Sequence, residues 1–502
     1  MHVDDWKWIW YFDSAGAIQT QGFNIFMHTP DFVLVLMLLQ LFKLPQWGFP
    51  EEANSEAQLA VIRGSRLPRD DRTRAKTEAG STTFAVDGTG EGDVPKRMLV
   101  NSASLVYGTS PVLRGRRTIV YDAKDPADSE GSYVAKWSYP QVTRENEART
   151  VWVARDIVRQ DERALEALPD VVAFKDYPDL STDIIRTYLR PYEDPAGSLV
   201  KTEAHAKKHG ERILRCIFEK KLEPLTYLND LWFIRGMNEC IRCHYLLWKG
   251  NEGYRVEHTD ISAANFGVDP LTLNLKIRDF DLARLVRVNE PNGPQSTERT
   301  GTTPFMAIEL LKKGYWEGDI RRLYRHDLEG FVWVVAYYTW VYDDAGVEVA
   351  NSPVLDWFTA DYNTCREKKN DFLDELADLY PGHRLQIANV WQYTLGLLRW
   401  LKRVRRQLEE EKDIEGEAEA EAEAEAEAQS LLNGGDQPAT AAMSDPKSAF
   451  ETFWEDIERF RVKADAVKLT PDVVKSFMSR KADIAARRDG RSAAGNGESQ
   501  AD

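Results

Sequence analysis

His258-Thr259-Asp260-Ile261-Ser262-Ala263-Ala264-Asn265, followed by Ile277-Arg278-Asp279-Phe280-Asp281, is the stretch on which the reading of this chain turns. It sets an acid and an amide five positions apart, then a second acid after a hairpin-sized gap. Phosphoryl transfer from a nucleotide needs such a set: one carboxylate to take the acceptor hydroxyl's proton, and an amide oxygen and a second carboxylate to hold Mg²⁺ against the phosphates. Asp260, Asn265 and Asp279 supply these groups in order. Any one of them alone reads as a surface carboxylate or a turn former. Their joint spacing carries the argument.

The same spacing is that of the kinase catalytic-loop pattern H-R-D-L-x-x-x-N, with the metal acid beside a Phe. Downstream, Gly301-Thr-Thr-Pro-Phe-Met-Ala-Ile-Glu309 parallels the end of a protein-kinase activation segment, with Ala-Ile-Glu in place of A-P-E. Tyr324-Arg-His-Asp327 then precedes the apolar Phe331 to Ala336, as in a buried helix whose first turn holds an Asp to anchor the catalytic-loop backbone. Upstream, Tyr133-Val-Ala-Lys136 reads as a strand carrying the cation for the α- and β-phosphates. Glu147 is its expected helical partner, with Glu145 as the competing choice. The phosphate-covering loop falls on Leu113 to Tyr121, with Gly115 and Thr118 in it. It has one glycine where G-x-G-x-x-G has three, so its place one hairpin before Lys136 is what supports it.

These residues resemble the fungal-type protein kinases from about Trp10 to about Tyr342. The similarity rests on seven ordered blocks: Tyr11 to Gly22, Val112 to Thr118, Phe218 to Thr226, His258 to Ser262, Asp279 to Ala283, Arg299 to Leu311 and Tyr324 to Glu329. The resemblance implies an α+β, bilobal protein-kinase-like fold with a small β-rich N-lobe and a larger, mainly helical C-lobe. It also implies ATP and Mg²⁺ as cofactors and a protein substrate phosphorylated on Ser or Thr. By the same carry-over Phe218, Glu219 and Lys221 belong to the hinge that meets the adenine, Asp260 orients and deprotonates the substrate hydroxyl, and His258 packs and hydrogen-bonds beneath Phe280. Glu309 and Asp327 become structural anchors.

Three departures bear on turnover. Thr259 stands where many kinases carry the Arg that pairs with a phosphorylated activation loop, so control by that pair is unavailable. Ser262 replaces the Lys usual near the γ-phosphate, and Asp281 replaces the glycine of D-F-G, although the family commonly shows both. One cation fewer faces the transferring group. A pseudokinase scaffold that binds nucleotide and partners is therefore the first alternative. A small-molecule kinase of the aminoglycoside or choline type is the second, and the 301–309 segment argues against it.

Length and charge agree with this picture. At roughly 150 residues per domain, 502 residues imply about three folding units, or two with tails. The net charge of −16 argues against a nucleic-acid binder driven by bulk positive charge, and −10 of it lies in residues 409–428. Four cysteines are too few for a disulfide framework and point to an intracellular, cytoplasmic or nuclear, chain that is not secreted. The apolar run at Phe32 to Phe42 is too short to span a membrane, which takes about 20 residues, and reads as a buried helix. The expected organisation is an N-terminal extension (1–60), a flexible connection (61–103), an N-lobe (104–221) and a C-lobe (222–412). A disordered acidic Glu-Ala linker (413–447), a helical segment (448–486) and a disordered tail (487–502) follow.

Other features read as structural. Cys240-Ile-Arg-Cys243-His244 has the spacing of haem attachment or half a zinc site, but it lies on a predicted core helix with no second cysteine pair. His205 and His209 fall in a Lys-rich solvated stretch. The basic clusters Arg63 to Lys76 and Arg480 to Arg491 are interrupted by acids. Ser296, Thr297, Thr300, Thr302 and Thr303 are chemically able to be phosphorylated, and Thr302 reads instead as a contact to the catalytic loop.

Overall fold

The computed structural model describes residues 2–3, 6–14, 16–19, 22–42, 81–87, 96–108, 115–184, 186, 210–228, 230–287, 301–343, 346–376, 388–428 and 445–495. His205, His209, Ser296, Thr297, Thr300 and the 63–76 cluster lie outside them. The chain separates into two units, one of Met1–Arg149 with Asp170–Lys221, the other of Thr150–Pro169 with Leu222–Asp502.

The first unit opens with the hairpin β1 (Trp10–Asp13) and β2 (Gly16–Gln19) and the helix α1 (Thr29–Leu41). Its main sheet is antiparallel and six-stranded: β3 (Ser81–Val86), β4 (Lys96–Gly108), β5 (Ile119–Lys124), β6 (Tyr133–Ser138), β7 (Val171–Tyr177) and β8 (Leu214–Lys220), in the order β7-β8-β6-β5-β4-β3. Period-two alternation explains the buried face. Thr82, Phe84 and Val86 point in while Thr83 and Ala85 face solvent. Phe84 and Val86 join Met98, Val100, Ala123, Ala135 and Phe218 in one core.

Two expectations change here. The sheet begins at Ser81, inside the stretch 61–103 expected to be a flexible connection. The Gly, Asp and Arg residues around 87–97 mask two strands whose inward positions, Thr82 apart, are apolar. Helix α1 was expected to be buried, yet none of its residues is. Its apolar residues surround the axis and leave no polar face to mark an outside.

The second unit is mainly helical. The boundary falls inside α2 (Glu147–Ile157), which α3 (Glu162–Glu166) follows. At its centre α4 (Asp230–Lys249) buries Phe233, Met237, Cys240, Ile241 and His244, spaced three and four apart, beside the almost wholly buried α5 (Tyr324–Val341). Helices α6 (Tyr362–Asp374), α7 (Ala388–Ala428), α8 (Pro446–Asp465) and α9 (Pro471–Gly495) complete it. Cys240 and Cys243 are fully buried on α4, and burial pushes both thiols up, as expected of a core helix rather than a ligand pair.

Two short antiparallel pairs carry the loops of interest. Strand β9 (Tyr254–Glu257) pairs with β12 (Arg284–Arg287), and β10 (Phe266–Val268) pairs with β11 (Leu275–Ile277). The loop 258–265 joins β9 to β10, and 278–283 joins β11 to β12, so the two ladders set these loops side by side.

The C-terminal part also differs from expectation. Helix α7 continues through the Glu-Ala tract to Ala428, where a disordered linker was expected. Both residue types are strong helix formers, and their propensity extends the amphipathic helix that precedes them. Helix α9 reaches Gly495, into the stretch read as a disordered tail. Within the basic cluster at its end, Arg480 donates to the Thr226 carbonyl and Lys481 pairs with Glu223, so these cations are structural. Among the described residues no helix is long and apolar enough to cross a membrane.

Candidate active site

In the first unit, Lys136 sits on β6 between β5 and β8, and its Nζ donates to both carboxylate oxygens of Glu147 at 3.0 and 2.8 Å. Both side chains are buried, so the pair must be hydrogen-bonded to be tolerable there. Glu145 pairs instead with Arg149 at 3.5 Å, which resolves the choice between the two acids in favour of Glu147.

The loop before β5 is held by the β1–β2 hairpin. The Gly115 N–H donates to the Ser14 carbonyl at 3.1 Å. Arg117 Nη2 donates to the Asp13 carbonyl at 3.0 Å, and the Asp13 carboxylate takes two hydrogen bonds from Arg186. Gly115 has φ 146, the left-handed side that favours glycine, and Arg117 follows at φ 48. A loop with a single glycine is thus braced by an N-terminal segment more than a hundred residues away in sequence. Sequence reading missed this brace, because no local pattern marks Asp13. Thr118 leads directly from this loop into β5.

Strand β8 corrects part of the hinge expectation. Phe218 is fully buried in the sheet core, so its side chain is not a nucleotide contact. Glu219 still pairs with Val134 on β6 and Val171 on β7. The Lys221 N–H donates to the Ser132 carbonyl, and its ammonium pairs with Asp122 at 2.5 Å. The chain leaves the sheet only after Lys220.

In the second unit, the Asp260 carboxylate is oriented from two sides. Its Oδ1 accepts from the Thr302 N–H at 2.8 Å and the Thr302 hydroxyl at 2.9 Å; its Oδ2 accepts from Asn265 Nδ2 at 3.0 Å. Thr302 therefore contacts the catalytic loop as expected. Asn265 Nδ2 also donates to the Asp260 carbonyl at 2.8 Å. With its amide nitrogen committed twice, its side-chain oxygen Oδ1 accepts no hydrogen bond among the described residues. The Arg278 N–H donates to the Asn265 main-chain carbonyl at 2.9 Å, extending the β10–β11 ladder so that Asp279 leaves it beside Asn265. Asp279 takes left-handed backbone (φ 63), a strained choice for a non-glycine residue that recurs at functional sites.

The surrounding loop is locked. Thr259, in the place of an activation-loop-binding Arg, donates its hydroxyl to the Leu282 carbonyl at 2.9 Å and so ties the two loops together. His258 stacks edge-on against Phe280 at 4.7 Å, and its Nε2–H donates to the Arg278 carbonyl at 3.1 Å. Burial lowers its pKa and keeps it neutral. Gly301 has φ 125, and a Cβ there would come 3.1 Å from Met306 Cγ, so the approach of Thr302 to Asp260 requires a glycine.

Asp327 is an anchor, but through other partners than expected. Its carboxylate accepts from Arg322 Nε at 2.9 Å and from His244 Nε2 at 3.1 Å rather than from the catalytic-loop backbone. Burial alone would raise its pKa; the Arg322 guanidinium and His244 hold it well below the carboxylate range. Glu309 accepts from His326 at 2.9 Å and Arg325 at 2.6 Å, and the His326 bond leads in lowering its pKa. His326 takes the Leu323 N–H on Nδ1 and donates from Nε2, a neutral tautomer; burial pulls its pKa down to about 4.

These shifts make the fold acid-labile. Below about pH 6.5 an unfolded His326 takes up a proton that the folded one refuses until about pH 4, so stability falls across that window. Glu309 adds to the loss once the pH drops below the ordinary carboxylate range. Urea melts at pH 7 and 4.5 should differ, with His326 contributing about 2 kcal/mol. His326→Gln should flatten the slope, and an unchanged slope would remove His326 from the account.

A search of curated proteins finds no match to the chain. A model of the fungal protein kinase family matches residues 4–339, well over half of the 502 residues, and that span holds Lys136, Glu147, Asp260, Asn265, Asp279 and Glu309. By that match the chain belongs to the fungal protein kinase family.

Proposed function

We propose that the chain is an ATP- and Mg²⁺-dependent protein kinase that transfers the γ-phosphoryl group to a serine or threonine hydroxyl. The observation that carries this reading is the Asp260 carboxylate, aimed from opposite sides by Thr302 and Asn265 in a loop tied to the one bearing Asp279. Asp260 would orient the substrate hydroxyl and take its proton. Lys136, steadied by Glu147, would meet the α- and β-phosphates. The preference for serine or threonine rests on family membership.

Asn265 and Asp279 fit a hard cation. Each offers an oxygen donor, and the Asn265 side-chain oxygen Oδ1 is left for a ligand by the two bonds its nitrogen makes. Among the described residues no cluster of three or more His, Cys, Asp or Glu side chains is built for a metal. Mg²⁺ in nucleotide sites needs none, since water and phosphate complete its octahedron. When bound, it would neutralise charge developing on the phosphates.

Thermal shift tests the reading. Mg-ATP at about 100 times its Kd should add about 2.7 kcal/mol of stability, and Asp279→Ala should abolish the Mg²⁺-dependent part. A shift indifferent to Mg²⁺ and to that substitution would overturn the metal assignment. Ser262 and the single-glycine loop favour a second reading, a pseudokinase scaffold. Mg-ATP binding without labelling of a basic protein substrate would select it. A labelled metabolite without a labelled protein would select a small-molecule kinase.

A further inference from the structure

Lys369 lies on α6 with none of its surface exposed. Its ammonium sits 4.6 Å from the centre of the Trp333 ring and 5.8 Å from that of Trp357. Its Nζ donates to the Met306 carbonyl at 2.6 Å. One helical turn earlier, the Cys365 thiol donates to the Thr303 carbonyl at 3.7 Å. Two side chains of one helix face thus hold two carbonyls of one short segment.

That segment leads directly to the reacting carboxylate. The Phe305 and Met306 N–H groups donate to the Thr302 and Thr303 carbonyls, at 2.9 and 3.3 Å, closing a tight turn between Met306 and Thr302. Thr302 in turn gives Asp260 two hydrogen bonds. On the far side, Glu329 of α5 accepts from the Ile308 N–H at 2.8 Å and from Trp333 Nε1 at 3.0 Å.

Such an ammonium is a costly way to fill space. Burial pulls its pKa down to about 8, and the titratable groups acting on it are Cys365 of its own helix and Glu329 of α5. A methionine would occupy a similar volume without desolvating a charge. What the ammonium adds is a fixed bond to a carbonyl, and that carbonyl belongs to the turn that ends on Thr302.

We propose that Lys369 is a positioning residue for phosphoryl transfer: by holding the Met306 carbonyl it sets the Thr302–Met306 turn, and through it the direction of the Asp260 carboxylate. The inference rests on the kinase reading of Asp260 and extends it to a helix beyond the residues that the family match covers.

Lys369→Met in the full chain tests it. The variant should melt no lower than wild type at pH 7. It should lose about tenfold or more in kcat with a basic protein substrate while KM for ATP stays unchanged, because a small misplacement of a reacting group is enough. Amide exchange of the 301–309 segment, where the Thr302 N–H is held by Asp260, should accelerate. Wild-type kcat with wild-type protection would overturn the proposal. Should the variant not fold, wild type alone decides: exchange of 301–309, referred to an α5 peptide, should rise above pH 8, and a flat ratio would refute the role. If wild type transfers no phosphoryl group, the kinase reading fails, while the exchange data still decide whether Lys369 holds the turn.

Discussion

Asp260→Asn should reduce protein phosphorylation by about 10²-fold or more, while Mg-ATP still stabilises the fold. The substitution keeps the side-chain shape and removes the charge. It also breaks the hydrogen-bond logic around the group. Thr302 approaches one oxygen with two donors and Asn265 approaches the other with one, so every contact needs an acceptor. An asparagine accepts on one side only, and on the other its NH₂ would face a donor. Either the Thr302 bonds or the Asn265 bond must be given up, which misaims what remains. The measurement is initial-rate labelling of a basic protein substrate, with wild type and variant purified side by side. Equal signal from both would trace the activity to a contaminant. Unaltered turnover from a demonstrably pure variant would remove Asp260 from the reaction.

The chemistry of this site was legible because it is local. Residues 258–265 and 277–281 carry their meaning in spacing, and antiparallel ladders of three and four residues convert that spacing into proximity. Lys136 and the choice of acid needed more. Glu145 and Glu147 are equally acidic in sequence, and the register of the first turn of α2 decides between them. What stayed hidden depends on partners remote in sequence. Arg322 carries no pattern, yet it lowers the pKa of Asp327; Lys369 reads as one charge in the polar run Arg366-Glu-Lys-Lys-Asn370 and is fully buried. The β3 and β4 strands were hidden for a different reason. Their neighbours are polar and glycine-rich, and composition averaged over a window conceals alternation that only six residues express. Helix α1 marks the opposite failure, since an all-apolar run promises burial without naming a surface to bury against.

Removal of residues 445–502 should cost the second unit most of its stability. Helix α8 buries Ala449, Phe453, Ile457, Phe460 and Ala464. Phe453 meets Trp400 edge-on at 4.8 Å, Phe460 meets Tyr393 at 5.8 Å, and Phe450 stacks on Tyr245 of α4 at 3.9 Å. Asp465 pairs with Arg163 at 3.3 Å, and Phe477 of α9 lies against Tyr227 at 6.1 Å. Phe453, Ile457 and Phe460 alone are worth on the order of 5–9 kcal/mol at about 1.5–3 each. A whole domain is stable by only about 5–15 kcal/mol, so the truncated chain should be largely insoluble or melt far below the full-length protein. The fold is completed by helices that follow the family match, which ends at residue 339. A graded control separates packing from truncation artefacts. Phe453→Ala leaves the chain complete and should still cost about 3–5 kcal/mol in urea melts. A truncated protein that melts within a degree or two of full length would mean that α8 contributes nothing to holding α4 and α7 in place.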